Sequence, residues 1–450
     1  MTYKIGLLGL GTVGTGVANI LLDPEGRNPL LHEIEIKQVG VRSLTKPRSI
    51  KSLGDRDLPE DYCTDDLMSI VTDPDIDIVV EVIGGIEPAR SLVLKAIAHG
   101  KHIVTANKAL LARHGDEIFT AAKSTGVYVM LEASVAGGIP IVQALKQALG
   151  ANRITSLTGI INGTTNYILT RMHEAGESFE SILADAQKLG YAEADPTADI
   201  DGFDAADKIA ILASLAFGDR IKLDRIYREG IRNITGTDIK AATELGFVIK
   251  LLAIARRPEI SPESSESQEL DIRVHPTLIP KHHPLASING VTNAVTVSGD
   301  PIGEVVFSGP GAGSGATASA VVADILSVVA ALKASQQNHQ DHPKINQLMG
   351  CSHQHYASVQ SIDKTINQFY VRFITRNQPG VIGDLGTCFG KHLVSLESVL
   401  QKPSMESSSE NLAEVVIVTQ RVIEGNFQAA LAEITKLPSL YNIPTVIRIL

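Results

Sequence analysis

A chain of 450 residues that is 44% hydrophobic has the length of about three domains and enough apolar residues to give each a buried core. Its net charge of −10, with no Lys/Arg-rich stretch interleaved with aromatics, excludes nucleic acid and anionic membrane surfaces as partners and leaves a small metabolite. Cys63, Cys351 and Cys388 form no paired spacing, so neither a disulfide framework nor a thiolate zinc site is expected, and a reducing cytoplasm is the natural compartment.

The first element is an apolar strand, Ile5 to Leu8, running directly into Gly9-Leu10-Gly11-Thr12-Val13-Gly14 and a helix to about Leu22. A strand, a glycine turn and a helix in this order form a dinucleotide fingerprint. Gly9 makes the turn, Gly11 admits a pyrophosphate, and Gly14 lets the helix pack closely, with Thr12 and Val13 completing the cradle at the helix start. The apolar run after Lys4 is therefore read as a strand and not a signal peptide, and no later uninterrupted apolar run is expected to reach membrane-spanning length.

The second strand, Ile34 to Val41, ends at Arg42, where an enzyme using the unphosphorylated cofactor carries Asp or Glu. Arg42, followed by Lys46 and Arg48, offers a planar fork of donors to a 2′-phosphate, so NADP is favoured and NAD is not excluded. The alternative is a solvated charge at a strand end. Further alternation follows: strand Asp77 to Ile83 ending at Gly84-Gly85, helix Pro88 to His99, strand His102 to Thr105, helix Leu110 to Lys123, and strand Val127 to Leu131. This is the pattern of a doubly wound α/β sheet over residues 1–150, of Rossmann type. Gly84, the Thr105 to Lys108 loop and the Glu132 to Pro140 loop lie at the carboxyl ends of its strands, where ligands bind.

From 151 to 335 strands at Ile154 to Ile161, Ile272 to Val274 and Val291 to Val297 surround helices such as Phe179 to Leu189 and Asp204 to Phe217, an α+β substrate domain. Residues 258–269, rich in Ser and Glu, read as a mobile surface insertion. Gly309 to Gly315 opens an apolar helix that returns the chain to the cofactor domain. Residues 336–366 are a polar linker, and His339, His342, His353 and His355 are read as linker histidines because no carboxylate-rich shell accompanies them. From 367 to 450 the order strand, helix, strand, strand, helix, strand fits a ferredoxin-like split βαβ module able to fold by itself.

Polar groups concentrate between Gly190 and Lys208. A calcium loop fails there, because with Gly202 at the sixth position Thr197 and Lys208 occupy the first and twelfth, which require carboxylates. Asp204 and Lys208 lie four apart on a predicted helix and share a face. That pair is either a solvated bridge or the wall of a polar pocket in which Lys208 protonates a developing alkoxide, with Lys108 as a second cation.

Taken together, Gly9 to Gly14, Thr105-Ala106-Asn107-Lys108, Glu132 to Pro140, Gly159 to Asn166, Gly190 to Lys208 and Gly309 to Gly313 resemble the homoserine dehydrogenase family over nearly the whole chain. The resemblance implies reduction of L-aspartate 4-semialdehyde to L-homoserine with NAD(P)H, on the path to threonine, methionine and isoleucine. It implies substrate contacts at Glu193, Asp199, Asp204, Gly163 and Thr164, Lys208 as proton donor, and Lys108 touching cofactor and substrate, with Gly190, Gly309 and Gly311 at the cofactor. It also implies a monovalent cation, sodium, held by Glu132 and the carbonyls of Val135, Gly137 and Ile139, although the residues alone fit a tight loop equally well. The tail resembles an ACT regulatory domain, which implies L-threonine as effector and a homodimer or homotetramer, or else a purely structural edge-paired dimer. Two rivals weigh less. An aspartate-semialdehyde dehydrogenase needs an activated cysteine, and Cys63 falls in a polar loop. A non-catalytic amino-acid sensor has no use for Lys108, Glu193, Asp204 and Lys208.

Overall fold

The structure is a computed structural model that describes residues 2–54, 56–58, 60–258, 269–337, 346, 348–350, 355–403 and 411–450. The chain forms two compact units, one of residues 1–157, 207–223 and 292–357, the other of 158–206, 224–291 and 358–450. These units interleave in sequence and so cut across linear boundaries at 150, 335 and 366.

The first unit is built on six parallel strands in the order Cys63–Thr64, Ile34–Gly40, Tyr3–Leu8, Ile78–Glu81, His102–Thr105, Val129–Met130. In chain order that is 3-2-1-4-5-6, the doubly wound arrangement, with its switch point between the first and fourth strands. Strands covered on both faces need apolar residues at every position. Ile78 and Val80 accordingly enter one core with Val17, Ala18 and Val321, while Val79 enters the other with Val93 and Ile118. Cys63 is therefore part of a short edge strand, paired at Val39 to Cys63, rather than of a polar loop; two residues of strand are too few to leave a periodic signal.

The helix after the second glycine turn runs Ser314–Gln337 and packs in this unit beside Thr12–Leu21. Gly16 makes that approach: a Cβ there would lie 2.7 Å from the Ser314 carbonyl oxygen and 2.8 Å from Ala318 Cβ. Its segment Ser314–Ser335 is long and apolar enough to cross a membrane, with Asp324 interrupting the apolar run. Ala318, Val321, Ile325 and Val328 are buried against the parallel sheet, which accounts for that apolarity.

In the second unit, strands follow the order Phe247–Arg256, Asp271–Pro280, Leu440–Ile449, Ile366–Arg376, Leu412–Thr419, Leu396–Pro403. The tail has the expected element order, with helices Val381–Lys391 and Glu424–Ile434 over a core in which the Phe369 and Phe427 rings stack at 3.7 Å. It also continues the neighbouring sheet, because Leu440–Ile449 pairs in parallel with Asp271–Pro280 at Thr277 to Arg448 and Leu278 to Ile449. Buried charge reinforces the junction: Arg372 lies 3.3 Å from Asp238, which also accepts from Thr445, and Arg448 is held by Glu424 and Glu229. Residues 259–268 of the polar insertion, and Cys351, His339, His342 and His353, lie outside the described residues.

Candidate active site

At the switch point of the parallel sheet a cavity of about 620 Å³ opens, lined by Gly9, Gly11, Gly40, Arg42, Lys46 and Gly84 among others. Its floor is the predicted turn. Gly9 sits at φ +106, its N–H donates to the Gly40 carbonyl at 2.9 Å, and a Cβ on Gly14 would overlap the Gly9 carbonyl. Gly11, by contrast, has nothing within 4 Å of a Cβ position, so its bareness serves the cavity and not the packing. Val13 packs on the core, and the Thr12 carbonyl accepts from Ser314 Oγ at 2.7 Å. Arg42 is exposed at the cavity wall, whereas the Arg48 guanidinium turns back onto the Ser43 and Lys46 carbonyls at 2.7 and 2.9 Å and braces the loop.

Glu81, which the sequence reading passed over as strand, organises the next loops. Its buried carboxylate accepts from the Ile83 and Gly84 amides at 3.0 and 3.1 Å and from Thr105 Oγ1 at 2.6 Å, and burial raises its pKa. The Thr105 hydroxyl also accepts from the Asn107 amide at 3.0 Å, so this predicted cofactor contact spends its side chain inside the protein. Asn107 caps the helix Lys108–Thr125 through Leu110 N and ties it to the Gly85 carbonyl, fixing Lys108 at the first helical position. The signal available was a lone acid closing an apolar strand.

The Glu132 loop is tight. Ala136 and Gly137 both have positive φ, +55 and +53, and a Cβ on Gly137 would lie 2.5 Å from the Gly311 carbonyl oxygen. Gly311 in turn sits against the Asn293 side chain, Gly309 pairs with Asn293 across its hairpin, and the Ile139 carbonyl accepts from Ile141 N at 2.8 Å. The buried Glu132 carboxylate accepts from the Val142 and Gln143 amides at 2.8 and 2.7 Å, and burial pushes its pKa up. Beside it Asp324, a single acid in an apolar helix, accepts from Glu132 N at 2.8 Å and is pushed up to about 7 by burial and by the Glu132 charge. Among the described residues no cluster of three or more His, Cys, Asp or Glu is arranged to hold a metal ion.

In the second unit two of the predicted substrate residues, Asp199 and Asp204, are drawn together by one that sequence reasoning did not single out. Asn162 donates through Nδ2 to Asp199 at 2.7 Å and Asp204 at 2.8 Å, while its Oδ1 caps the helix Gly163–Ala175 at Thr165 N, 2.8 Å. An Asn at a helix N-cap is unremarkable in sequence; its double use is what three dimensions add. Gly163 is required by close approach, since a Cβ would meet the Val291 carbonyl at 3.0 Å, and Thr164 Oγ1 donates to the Tyr191 carbonyl at 2.6 Å. Gly190, at φ +75, ends the helix before the polar segment, and Glu193 is exposed in it. The helix Phe203–Phe217 begins in the second unit and continues into the first; it carries Asp204 and, one turn on, Lys208, both buried, and within the first unit Arg113 pairs with Asp207 at 2.9 Å. A buried Lys250, also unremarked in sequence, donates to Asn166 Oδ1 and to the Ile288 carbonyl at 2.9 and 2.6 Å; burial lowers its pKa to about 8.

A doubly wound sheet with a glycine-floored cavity at its switch point, in a chain that also carries a clamped carboxylate pair and a buried lysine on one helix, defines a nicotinamide-dependent oxidoreductase. Family profiles sharpen this: "Homoserine dehydrogenase, NAD binding domain" matches residues 9–132 and "Homoserine dehydrogenase" matches 140–326. The chain is 57% identical to the homoserine dehydrogenase of Synechocystis sp. over 450 residues, with all of both chains covered. A solved homoserine dehydrogenase from Thiobacillus denitrificans superposes with a TM-score of 0.88 at 40% identity, covering 100% of this chain and 98% of that one. A hyperthermophilic archaeal homoserine dehydrogenase mutant solved in complex with NADPH matches 73% of this chain and 98% of its own at a TM-score of 0.60 and 27% identity. The chain belongs to the homoserine dehydrogenase family and is an NAD(P)-dependent oxidoreductase.

Proposed function

We propose that the chain reduces L-aspartate 4-semialdehyde to L-homoserine, reversibly and with NADPH in preference to NADH, as a step toward threonine, methionine and isoleucine in the cytoplasm. The observation that carries the substrate assignment is the Asn162 clamp on Asp199 and Asp204, on the segment that leads into the helix of Lys208. Carboxylates at Glu193, Asp199 and Asp204 suit the ammonium group of an amino-acid aldehyde. The turn fits a dinucleotide because Gly11 leaves open the space that a Cβ would fill, and Arg42 with Lys46 at the same cavity supports the phosphorylated cofactor. When bound, the nicotinamide supplies the hydride. Lys208 holds the proton for the aldehyde oxygen as negative charge grows on it, and Lys108, fixed at its helix start by Asn107, adds a second positive charge.

Glu132 and the carbonyls of Val135, Gly137 and Ile139 would hold a sodium ion, whose charge would offset the two buried carboxylates of Glu132 and Asp324; their mutual repulsion is the support for it. The tail is read as an ACT module binding threonine in a homodimer or homotetramer, supported by its element order. The test is NADPH oxidation by the purified chain with L-aspartate 4-semialdehyde, with and without threonine. Oxidation suppressed by threonine supports both readings. Oxidation indifferent to threonine removes the effector role, and NADPH binding without oxidation removes the substrate.

A further inference from the structure

Within the second unit a cavity of about 230 Å³ lies where the strands Phe247–Arg256 and Asp271–Pro280 meet the ends of the tail strands. Arg256, Arg273, Arg421, His275, Thr277 and Gln368 line it. Three guanidinium groups converge on a space whose lining, among the described residues, holds no Asp or Glu side chain. Arg273 is 3% exposed; its NH2 lies 3.5 Å from Asp271, but its Nε and NH1 are buried without any hydrogen-bond partner. His275 is 1% exposed, and its Nε2 is likewise unpartnered.

Leu450, the last residue, also lines the cavity, so its terminal carboxylate is set against three guanidinium groups and positive charge remains in excess. On the strand Asp271–Pro280, Asp271 partly offsets Arg273; Glu424 of the tail and Glu229, which precedes that strand in the chain, are taken up by Arg448. Arg256 and Arg421, from two other elements, make no ion pair among the described residues. A buried guanidinium with two unpartnered donor atoms is a costly arrangement, and a bound ion is one of the things that relieves it. Burial lowers the pKa of Arg273 to about 10, the direction an uncompensated cation takes.

We propose that this cavity is a binding site for a small phosphate-class oxyanion, clasped by Arg256, Arg273 and Arg421. Planar forks from three arginines match a tetrahedral dianion. His275 adds selectivity: its Nδ1 lies 3.0 Å from the Pro276 carbonyl, which only accepts, so Nδ1 carries the hydrogen and Nε2 accepts one from the ligand, as a hydrogenphosphate hydroxyl supplies. With guanidinium groups in excess over the single terminal carboxylate, an anion suits the space better than a zwitterionic amino acid does. Because the lining comes from both the strands near residue 273 and the tail, an anion here braces the tail against the rest of its unit.

The test is calorimetric titration of the chain with inorganic phosphate while saturating NADP occupies any phosphate-binding cofactor site, with threonine titrated in parallel. Saturable phosphate binding is expected, weakened about 10- to 100-fold by Arg421→Gln, the loss of one charge-assisted hydrogen bond. Arg421 is exposed at the rim, so that variant keeps the fold. Arg273→Gln is expected to weaken binding similarly, and phosphate is expected to raise the melting temperature of the wild type but not of Arg421→Gln. No saturable phosphate binding, equal affinity in the wild type and Arg421→Gln, or tighter binding of threonine at this site would overturn the proposal.

Discussion

Substituting the glycines of the first turn separates packing from binding, because the structure gives two of them different reasons to be bare. At Gly14 an added Cβ would overlap the Gly9 carbonyl oxygen, sit 2.9 Å from its carbon and touch Val82 Cγ2 at 3.4 Å. Neither segment gives way easily, since Gly9 N is bonded to the Gly40 carbonyl at 2.9 Å and Val82 N to the Leu8 carbonyl at 3.0 Å. Gly14→Ala must therefore push the helix Thr12–Leu21 off the sheet. The overpacking is expected to cost about 3 kcal/mol, or roughly 6–12 °C in melting temperature for a unit of this size. At Gly11 an added Cβ meets nothing and φ is −87°, so Gly11→Ala leaves the stability of the cofactor-free chain within about 0.5 kcal/mol of wild type. It should nonetheless weaken NADPH binding about tenfold or more, because the methyl group projects toward the pyrophosphate. Thermal melts without cofactor and fluorescence titration with NADPH measure the two effects. Unchanged NADPH affinity in Gly11→Ala, or a wild-type melt in Gly14→Ala, would refute the reasoning.

Arg42→Asp should shift the ratio of kcat/KM toward NADH, and an unchanged ratio would leave Arg42 a solvated charge. Asn162→Ala removes the donor shared by Asp199 and Asp204 and a helix cap worth about 1 kcal/mol. Its kcat/KM for the semialdehyde should fall by more than the modest drop in melting temperature explains, whereas intact kinetics would mean the clamp is only structural. Burial holds His102 at about 4, below its ordinary 6.5, while Nδ1 accepts from Tyr128 N at 3.0 Å. The unfolded chain binds the proton more tightly, so this contribution of roughly 3 kcal/mol is complete above pH 6.5 and lost as pH falls toward 4. His102→Asn keeps an acceptor and should flatten the urea midpoint over that range; an undiminished acid slope would contradict the assignment.

What local sequence made legible is what local physics fixes. The parallel strands announced themselves as short apolar runs because both faces are covered, and the glycine turn was readable because only glycine tolerates its backbone. The tail's element order was legible for the same reason, but its junction with the strand Asp271–Pro280 was not, since pairing Thr277 with Arg448 has no local signature. Site residues divided likewise. Lys208 and Asp204 stood out by helical spacing, while Glu81, Asn162, Lys250 and Asp324 act through partners distant in sequence. Each looks ordinary until its partners are placed: an acid ending a strand, a cap, a lysine in a strand, one acid in an apolar helix.

The most direct test of the account is turnover of L-aspartate 4-semialdehyde by Lys208→Ala beside direct measurement of its NADPH binding. A kcat lowered by about 10²- to 10⁴-fold with NADPH affinity unchanged is the predicted result. Turnover near that of the wild type would show that the proton reaches the substrate from another group and would contradict the central claim.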